Sequence, residues 1–407
     1  MAHIPPALSR RRILETAAAM AAAPLLATTL PAEPADAAAA TSPSPSPSPN
    51  HPRELIYVGA WQGTQLYAAW FDPALGTLDT IGPVADITSN WTTRHPTRPI
   101  LYVAGNDLAG SVTPYSVNET TGALTPLGAP VATAPDNTAS GGLGLIDIDA
   151  PSNTLLVANY AAGQSASIPI AKDGSLGEVA SVIQDTGSGP NARQAGPHAH
   201  DAVVSPDGRY VLVPDFGADR VFIRRFNRAT HKLEIDGVPG PGSYATAAGS
   251  GPRRIVFHPN GRTAYIVNEL TADIQTLTWD PEQATLTLRQ DLSTDSPTFT
   301  GTKSAAELAI SRDGRFVYVS NRGENTLLVY ATDPRTGQLT LIQRTNPAGT
   351  SPWSFSLHPT GRWLLVANLV SDTVNLFSVD EASGKLTDTG ASISIPSPDC
   401  ITFEAAR

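Results

Sequence analysis

GPRRIVFHPNGRTAYIVNE, residues 251–269, is the stretch that decides the architecture. It reads as two short strands, Arg253–Phe257 and Thr263–Glu269, joined by a tight turn at His258–Arg262. Branched and aromatic side chains fill the strands, and Pro259, Asn260 and Gly261 supply the turn chemistry. With Gly261 at the centre of the hairpin, residues whose numbers sum to 522 face each other. That pairing sets Arg253 against Glu269, a cation against a carboxylate, at the open end far from the turn.

The hairpin recurs. Six full copies align on the turn, starting at Asn90, Gly144, His200, Arg253, Ala306 and Trp353, spaced 54, 56, 53, 53 and 47 residues apart. Each is followed by a third strand, such as Thr326–Tyr330, and a fourth, such as Gln338–Gln343. A four-stranded repeat of this length is the signature of a propeller blade. The ends of the chain complete the count: Glu54–Ala60 matches a second strand with no first, and Asp399–Phe403 matches a first strand with no second. The expected fold is therefore all-β, a seven-bladed β-propeller of four-stranded blades, closed by the C-terminal strand joining the N-terminal blade, which removes an exposed sheet edge.

Composition narrows the partners. A net charge of −10 leaves no basic footprint for nucleic acid. Cys400 is the single cysteine, so no intramolecular disulfide and no thiolate zinc site can form. Ahead of the repeats, Ser9-Arg10-Arg11-Arg12-Ile13-Leu14, the Ala/Leu-rich run Ala17–Leu30 and Ala35-Asp36-Ala37 read as a twin-arginine export signal over residues 1–37. The export machinery is its implied partner. The apolar run is too short and alanine-rich to stay as a membrane anchor, so no stable membrane insertion is expected after its removal. An Ala/Ser/Pro-rich spacer follows to residue 52, and the propeller occupies residues 53–407. The exported protein is then extracellular or lies in the periplasm or cell envelope.

The copies serve as an internal comparison. One column holds Ala60, Gly105, Asn159, Asp215, Asn268, Asn321 and Asn368. An amide or carboxylate in five of the seven blades reads as a local backbone ligand, and His95, His258 and His358, each before a proline, read as turn residues. Two columns vary. The first position of the inner strand reads Asp399, Asn90, Gly144, His200, Arg253, Ala306 and Trp353; the position closing the second strand reads Trp61, Asn106, Tyr160, Phe216, Glu269, Arg322 and Leu369. Hairpin geometry puts both on one rim of the channel. An imidazole and charges gather on three consecutive blades as His200, Arg253 with Glu269, and Arg322. Scaffold would treat equivalent positions alike, so the break marks a candidate site. Against it stands the plain reading of Arg253 and Glu269 as a cross-strand ion pair of about 0.2–1 kcal/mol.

Gly187–Val221, containing GPHAH, together with Gly251–Leu270 and Phe316–Gly323, resembles the seven-bladed lactonase family of propeller 6-phosphogluconolactonases and fungal carboxymuconate lactonizing enzymes. The resemblance runs from about residue 54 to the end and implies the same fold. It implies a catalytic set of one histidine, two arginines and one glutamate, matched here by His200, Arg253, Arg322 and Glu269. His198, Trp353 and Asn90 border them as substrate-binding candidates. Two departures fall on the rim: Ser351-Pro352-Trp353-Ser354 replaces a Pro-Arg-Asn run, and Gly141-Gly142-Leu143-Gly144 lacks the family's histidine.

Opening a lactone needs an activated water and a stabilised oxyanion. Glu269 or His200 is the candidate base, and Arg253 and Arg322 the candidate oxyanion ligands. The implied partner is a small-molecule lactone, with no cofactor and no resident metal called for. Two other readings stay open: a lactonizing cycloisomerase using the same groups in reverse, and a non-catalytic binding propeller. His198-Ala199-His200-Asp201 offers a weak metal motif, two imidazoles at alternate strand positions.

Overall fold

The structure, a computed structural model, describes residues 52–404 apart from 135 and 137–141. The export signal and all of the spacer except Pro52 lie outside the described residues. Seven antiparallel sheets form, each from consecutive strands except one, in which Pro398–Glu404 pairs with Glu54–Ala60. Blade one is thus made of both ends of the chain, and blades two to seven follow in chain order. In blade two the outermost strand is split into Leu124–Pro126 and Val131–Ala132, and in blade four into Lys232–Glu234 and Ser243–Ala245.

The core is a ring of seven apolar clusters, each shared by two neighbouring blades. Second strands such as Thr263–Asn268 and Phe316–Asn321 are buried along their whole length, which is why they read as near-continuous apolar runs. Between blades a tyrosine latch repeats: Tyr57, Tyr102, Tyr265 and Tyr318 each donate a hydroxyl hydrogen bond to the carbonyl of a turn glycine in the next blade, Gly122, Gly174, Gly337 and Gly384. Those glycines have φ between 71° and 92°, so the turn itself demands the residue.

The amide column behaves as scaffold. Asp215 accepts from the backbone N–H groups of His198, Gly217 and Ala218, Asn159 from Ala162, and Asn321 from Glu324. The turn histidines do likewise: His95 Nδ1 accepts from Thr97 N–H and His258 Nδ1 from Asn260 N–H.

One register differs from the sequence reading. Ile255 faces Ile266 and Phe257 faces Ala264, so the facing numbers sum to 521, and the second strand ends at Asn268. The sum drops to 520 at Pro252 and Asn268, leaving Arg253 as an extra residue without a cross-strand partner. The same β-bulge falls at Asn90, at Ala306-Glu307, at Trp353 and at Asp399-Cys400. Bulges re-aim side chains. Five of the seven variable inner positions are therefore bulged residues, while Gly144 and His200 precede the regular pairing of their blades.

Candidate active site at one mouth of the channel

Glu269 follows Asn268, whose strand end is fixed, and its N–H bonds the Gly251 carbonyl. Its side chain is buried, and three guanidinium groups converge on it. Arg193 Nη1 donates to Oε1 at 2.7 Å and Arg322 Nη2 to Oε2 at 2.8 Å, while Arg253 Nη1 lies 3.7 Å from Oε2. Arg253 Nη1 also meets His200 Nε2, and its Nε donates to the Ala306 carbonyl at 3.1 Å. The bulge thus aims Arg253 sideways at its neighbours rather than across its own hairpin. His200, Arg253, Glu269 and Arg322 come together as one cluster spanning blades four to six.

The electrostatics separate their roles. Burial alone would raise the Glu269 carboxyl, but Arg322, Arg193 and Arg253 together hold it well below the usual carboxylate range. A carboxylate so stabilised is a poor proton acceptor. Burial, with the Arg253 guanidinium beside it, holds the His200 imidazole well below its ordinary value, so the ring is neutral. A guanidinium only donates, so Nε2 is the acceptor and the proton sits on Nδ1, which is buried without a partner. Burial and the neighbouring Arg322 push Arg253 down to about 10. Arg322 Nε is a second buried donor without a partner.

An aromatic arc completes the mouth. The Trp353 ring lies 4.3 Å from the Arg322 guanidinium and 5.2 Å from the Trp61 ring. His198 stacks on Tyr160 at 4.5 Å and donates from Nδ1 to the Tyr160 carbonyl. Asn90 donates to the Leu143 carbonyl, tying blade two to blade three. The alternate-strand arrangement expected for His198 and His200 gives way to an irregular segment in which only Ala199 bridges to Asp215, and regular pairing starts at Val203. Among the described residues no group of three or more His, Cys, Asp and Glu side chains is placed to hold a metal ion.

Arg193 is the residue that sequence reasoning missed. It rides on a short turn, Ala192–Gln194, capped by Asn191 and bolted down by the buried Gln194, which donates to the Phe216 carbonyl and to Asp219 Oδ1. Its guanidinium rests on the Phe216 ring at 4.5 Å. Arg193 keeps 54% of its side chain exposed, against 6% for Arg253 and 8% for Arg322, so it is the guanidinium open to solvent. The Asn-x-x-Gln cap was visible in the sequence; its reach to a residue 76 positions away was not.

Fold and site together describe a β-propeller with a cluster of charged groups gathered beside the inner strands of three blades. Residues 55–403 match the family described as lactonase, 7-bladed beta-propeller, and the chain belongs to that family. It is 32% identical over 305 residues to a 6-phosphogluconolactonase of Bacillus subtilis, covering 75% of this chain and 84% of that one. The periplasmic gluconolactonase of Pseudomonas aeruginosa superposes with a TM-score of 0.78 at 31% identity, covering 88% of this chain and 100% of that one. A Lactobacillus plantarum protein superposes with a TM-score of 0.77 at 28% identity. The enzyme class is that of a lactonase. No helix among the described residues is long and apolar enough to cross a membrane.

Proposed function

We propose that this chain hydrolyses a sugar or related lactone at the mouth formed by His200, Arg253, Glu269 and Arg322. The observation that carries the reading is a buried imidazole whose Nε2 is capped by Arg253, itself beside Arg322 on a shared carboxylate. When the lactone carbonyl takes the hydrogen bonds of Arg253 and Arg322, Nε2 is released to receive a proton from water. The water oxygen bonds to the carbonyl carbon, and the two guanidinium groups hold the oxyanion. Collapse breaks the ring C–O bond, and the leaving alkoxide takes the proton back from His200, giving the open hydroxy acid. On this reading Glu269 gathers the arginines and His200 is the base, and the convergence of three guanidinium groups on Glu269 supports that division.

Arg193, at the solvent side, is placed to meet a substituent of the lactone, and Trp353, His198 and Asn90 border the ring. We further propose export by the twin-arginine route, supported by Arg10-Arg11-Arg12 with its apolar run and by the periplasmic location stated for the P. aeruginosa neighbour. An exported enzyme meets sugar or aromatic-derived lactones outside the cytoplasm, rather than a phosphorylated metabolite inside it.

The test is hydrolysis by the purified protein of gluconolactone, 6-phosphogluconolactone and a muconolactone, with and without EDTA, beside His200→Asn and Arg253→Ala. Turnover that survives EDTA and collapses in both variants supports the reading. Loss to EDTA moves the chemistry to a metal. A folded protein inert on every lactone leaves a binding propeller.

A further inference from the structure

The residues immediately after the site residues form a second layer. Asp201 follows His200, Arg254 follows Arg253, and Glu307 follows Ala306, whose carbonyl holds Arg253 Nε. Arg254 bridges the other two: its Nη1 lies 3.0 Å from Asp201 Oδ2 and its Nε donates to Glu307 Oε1 at 2.7 Å. All of them are largely buried, and each carboxylate is also tied to backbone. Asp201 accepts from Ala202 N–H and Ile255 N–H, and Glu307 from Leu308 N–H. One guanidinium thus staples the inner strands of blades four, five and six at the height just beneath the mouth. On its far side lies a cavity of about 480 Å³ along the channel, lined by Trp91, Asp147, Asp201 and Arg254 among others. The Trp91 ring lies 5.4 Å from the Arg254 guanidinium.

We infer that Asp201, Arg254 and Glu307 are positioning residues for the site: an ion-paired belt that fixes the spacing of His200, Arg253 and Arg322 across three blades. This inference rests on the assignment of those residues as the reacting set. Three features support it over a merely structural ion pair. The equivalent positions of the other four blades hold Trp91, Leu145, Ser354 and Cys400, none of them an ion-paired residue. Among the described residues the ion-paired positions directly after the inner column lie on the blades that carry the cluster, and Asp147 of blade three adds a further carboxylate near Arg254. Two charged residues placed side by side in one strand, Arg253 and Arg254, are costly to bury unless each has its own counter-charge. Here Glu269 serves the upper one and Asp201 with Glu307 the lower. Finally, the belt carries more negative than positive charge below Arg253, and the mouth carries three guanidinium groups on one carboxylate. The arrangement pulls the arginine charge inward and keeps Arg253 from being expelled by Arg193 and Arg322.

The experiment is steady-state kinetics on a lactone that the wild-type protein turns over, for Arg254→Met, Arg254→Lys and the neutral belt Asp201→Asn/Arg254→Gln/Glu307→Gln. Misplacing the reacting groups by about an ångström is expected to cost about 100-fold in kcat, with KM moving much less. Arg254→Lys, which keeps the charge but not the fork, is expected to recover part of the loss. The acid limb of the pH–rate profile moves to higher pH in Arg254→Met, because one of the cations facing His200 is gone while Arg253, Glu269 and Tyr160 remain. The neutral belt has no unpaired charge to destabilise the fold, so it tests positioning if Arg254→Met fails to fold. Variants whose kcat stays within about threefold of wild type, with an unmoved pH profile, overturn the inference. If no lactone is turned over, the reacting-set assignment fails instead. An NMR titration of His200, its signal assigned with His200→Asn, then decides the belt by itself: an imidazole unmoved by Arg254→Met refutes it.

Discussion

Replacing Glu269 with glutamine removes one charge and almost no volume, so it isolates what the carboxylate does. In the folded protein Glu269 is 2% exposed and is the counter-charge of two buried guanidinium groups, Arg253 and Arg322, and of the exposed Arg193. Arg193 can turn to solvent when its partner goes. The other two cannot, and are left buried beside an amide that donates as readily as it accepts. Breaking a buried ion pair from one side costs about 3–5 kcal/mol, and that is the loss expected for Glu269→Gln. Urea unfolding monitored by tryptophan fluorescence reads it as a fall in midpoint at unchanged slope. Removing one stranded cation as well should return part of the loss, so Glu269→Gln/Arg322→Met is expected to be less destabilised than the two single changes added together.

The pH dependence gives the sharper check. A carboxyl whose folded value lies below its unfolded one stabilises the protein above the unfolded value, about 4.3, and that contribution is lost as pH falls towards the folded value. Glu269 is such a group. The gap between wild type and Glu269→Gln should therefore be constant from pH ~5 upward and narrow steadily in acid. A variant within about 1 kcal/mol of wild type, or a gap that does not narrow, would refute the counter-charge assignment and return Glu269 to candidacy as the base.

Four further outcomes are expected. His200→Asn should lower kcat/KM by about 10²–10⁴ with the fold intact by circular dichroism. Because burial and Arg253 hold the imidazole below its ordinary value, the wild-type acid limb should lie below the ordinary histidine midpoint of about 6.5; a limb at or above it would contradict the neutral-imidazole reading. Tyr265→Phe removes one inter-blade latch and should cost about 1 kcal/mol in urea unfolding without touching kcat. Deleting residues 398–407 strips blade one of its inner strand and exposes the edge of Glu54–Ala60, so the product should aggregate or be rapidly proteolysed; a soluble, monomeric deletion would count against the C-terminal strand as the element that protects that edge.

The fold was legible because each blade carries its own turn chemistry, and because the two chain ends hold complementary halves of one hairpin. The cluster was legible for a related reason: with several copies of one hairpin in the chain, His200, Arg253, Glu269 and Arg322 stand out as positions where the copies disagree. What escaped was non-periodic. The bulge at Arg253 leaves no mark on the apolar alternation, since it precedes the paired stretch from Arg254 to Phe257. Arg193 escaped because nothing local says that the Asn191 turn folds across to another blade. The choice between His200 and Glu269 as base depends on how many guanidinium groups face each, a count that only the folded geometry supplies.

The order of the columns explains how such a site can differ among blades without loosening the ring. Five of the seven variable residues that close a second strand directly follow a scaffold residue: Tyr160 follows Asn159, Phe216 follows Asp215, Glu269 follows Asn268, Arg322 follows Asn321 and Leu369 follows Asn368. The scaffold side chain bonds its surroundings at the strand end, as Asn321 does to Glu324 N–H and Asp295, and Asn368 to the Pro347 carbonyl. The next residue is thus delivered to the mouth from a fixed backbone, whatever its chemistry. On the facing strand the bulge does the complementary work, inserting a residue that the ladder does not need for pairing. Both site columns are released from sheet formation while being held rigidly by it. A charged pair, an indole or an alanine can therefore stand at these positions on otherwise similar blades. The cost of assembling four arginines near one another falls on the local counter-charges Glu269, Asp201 and Glu307, not on the propeller.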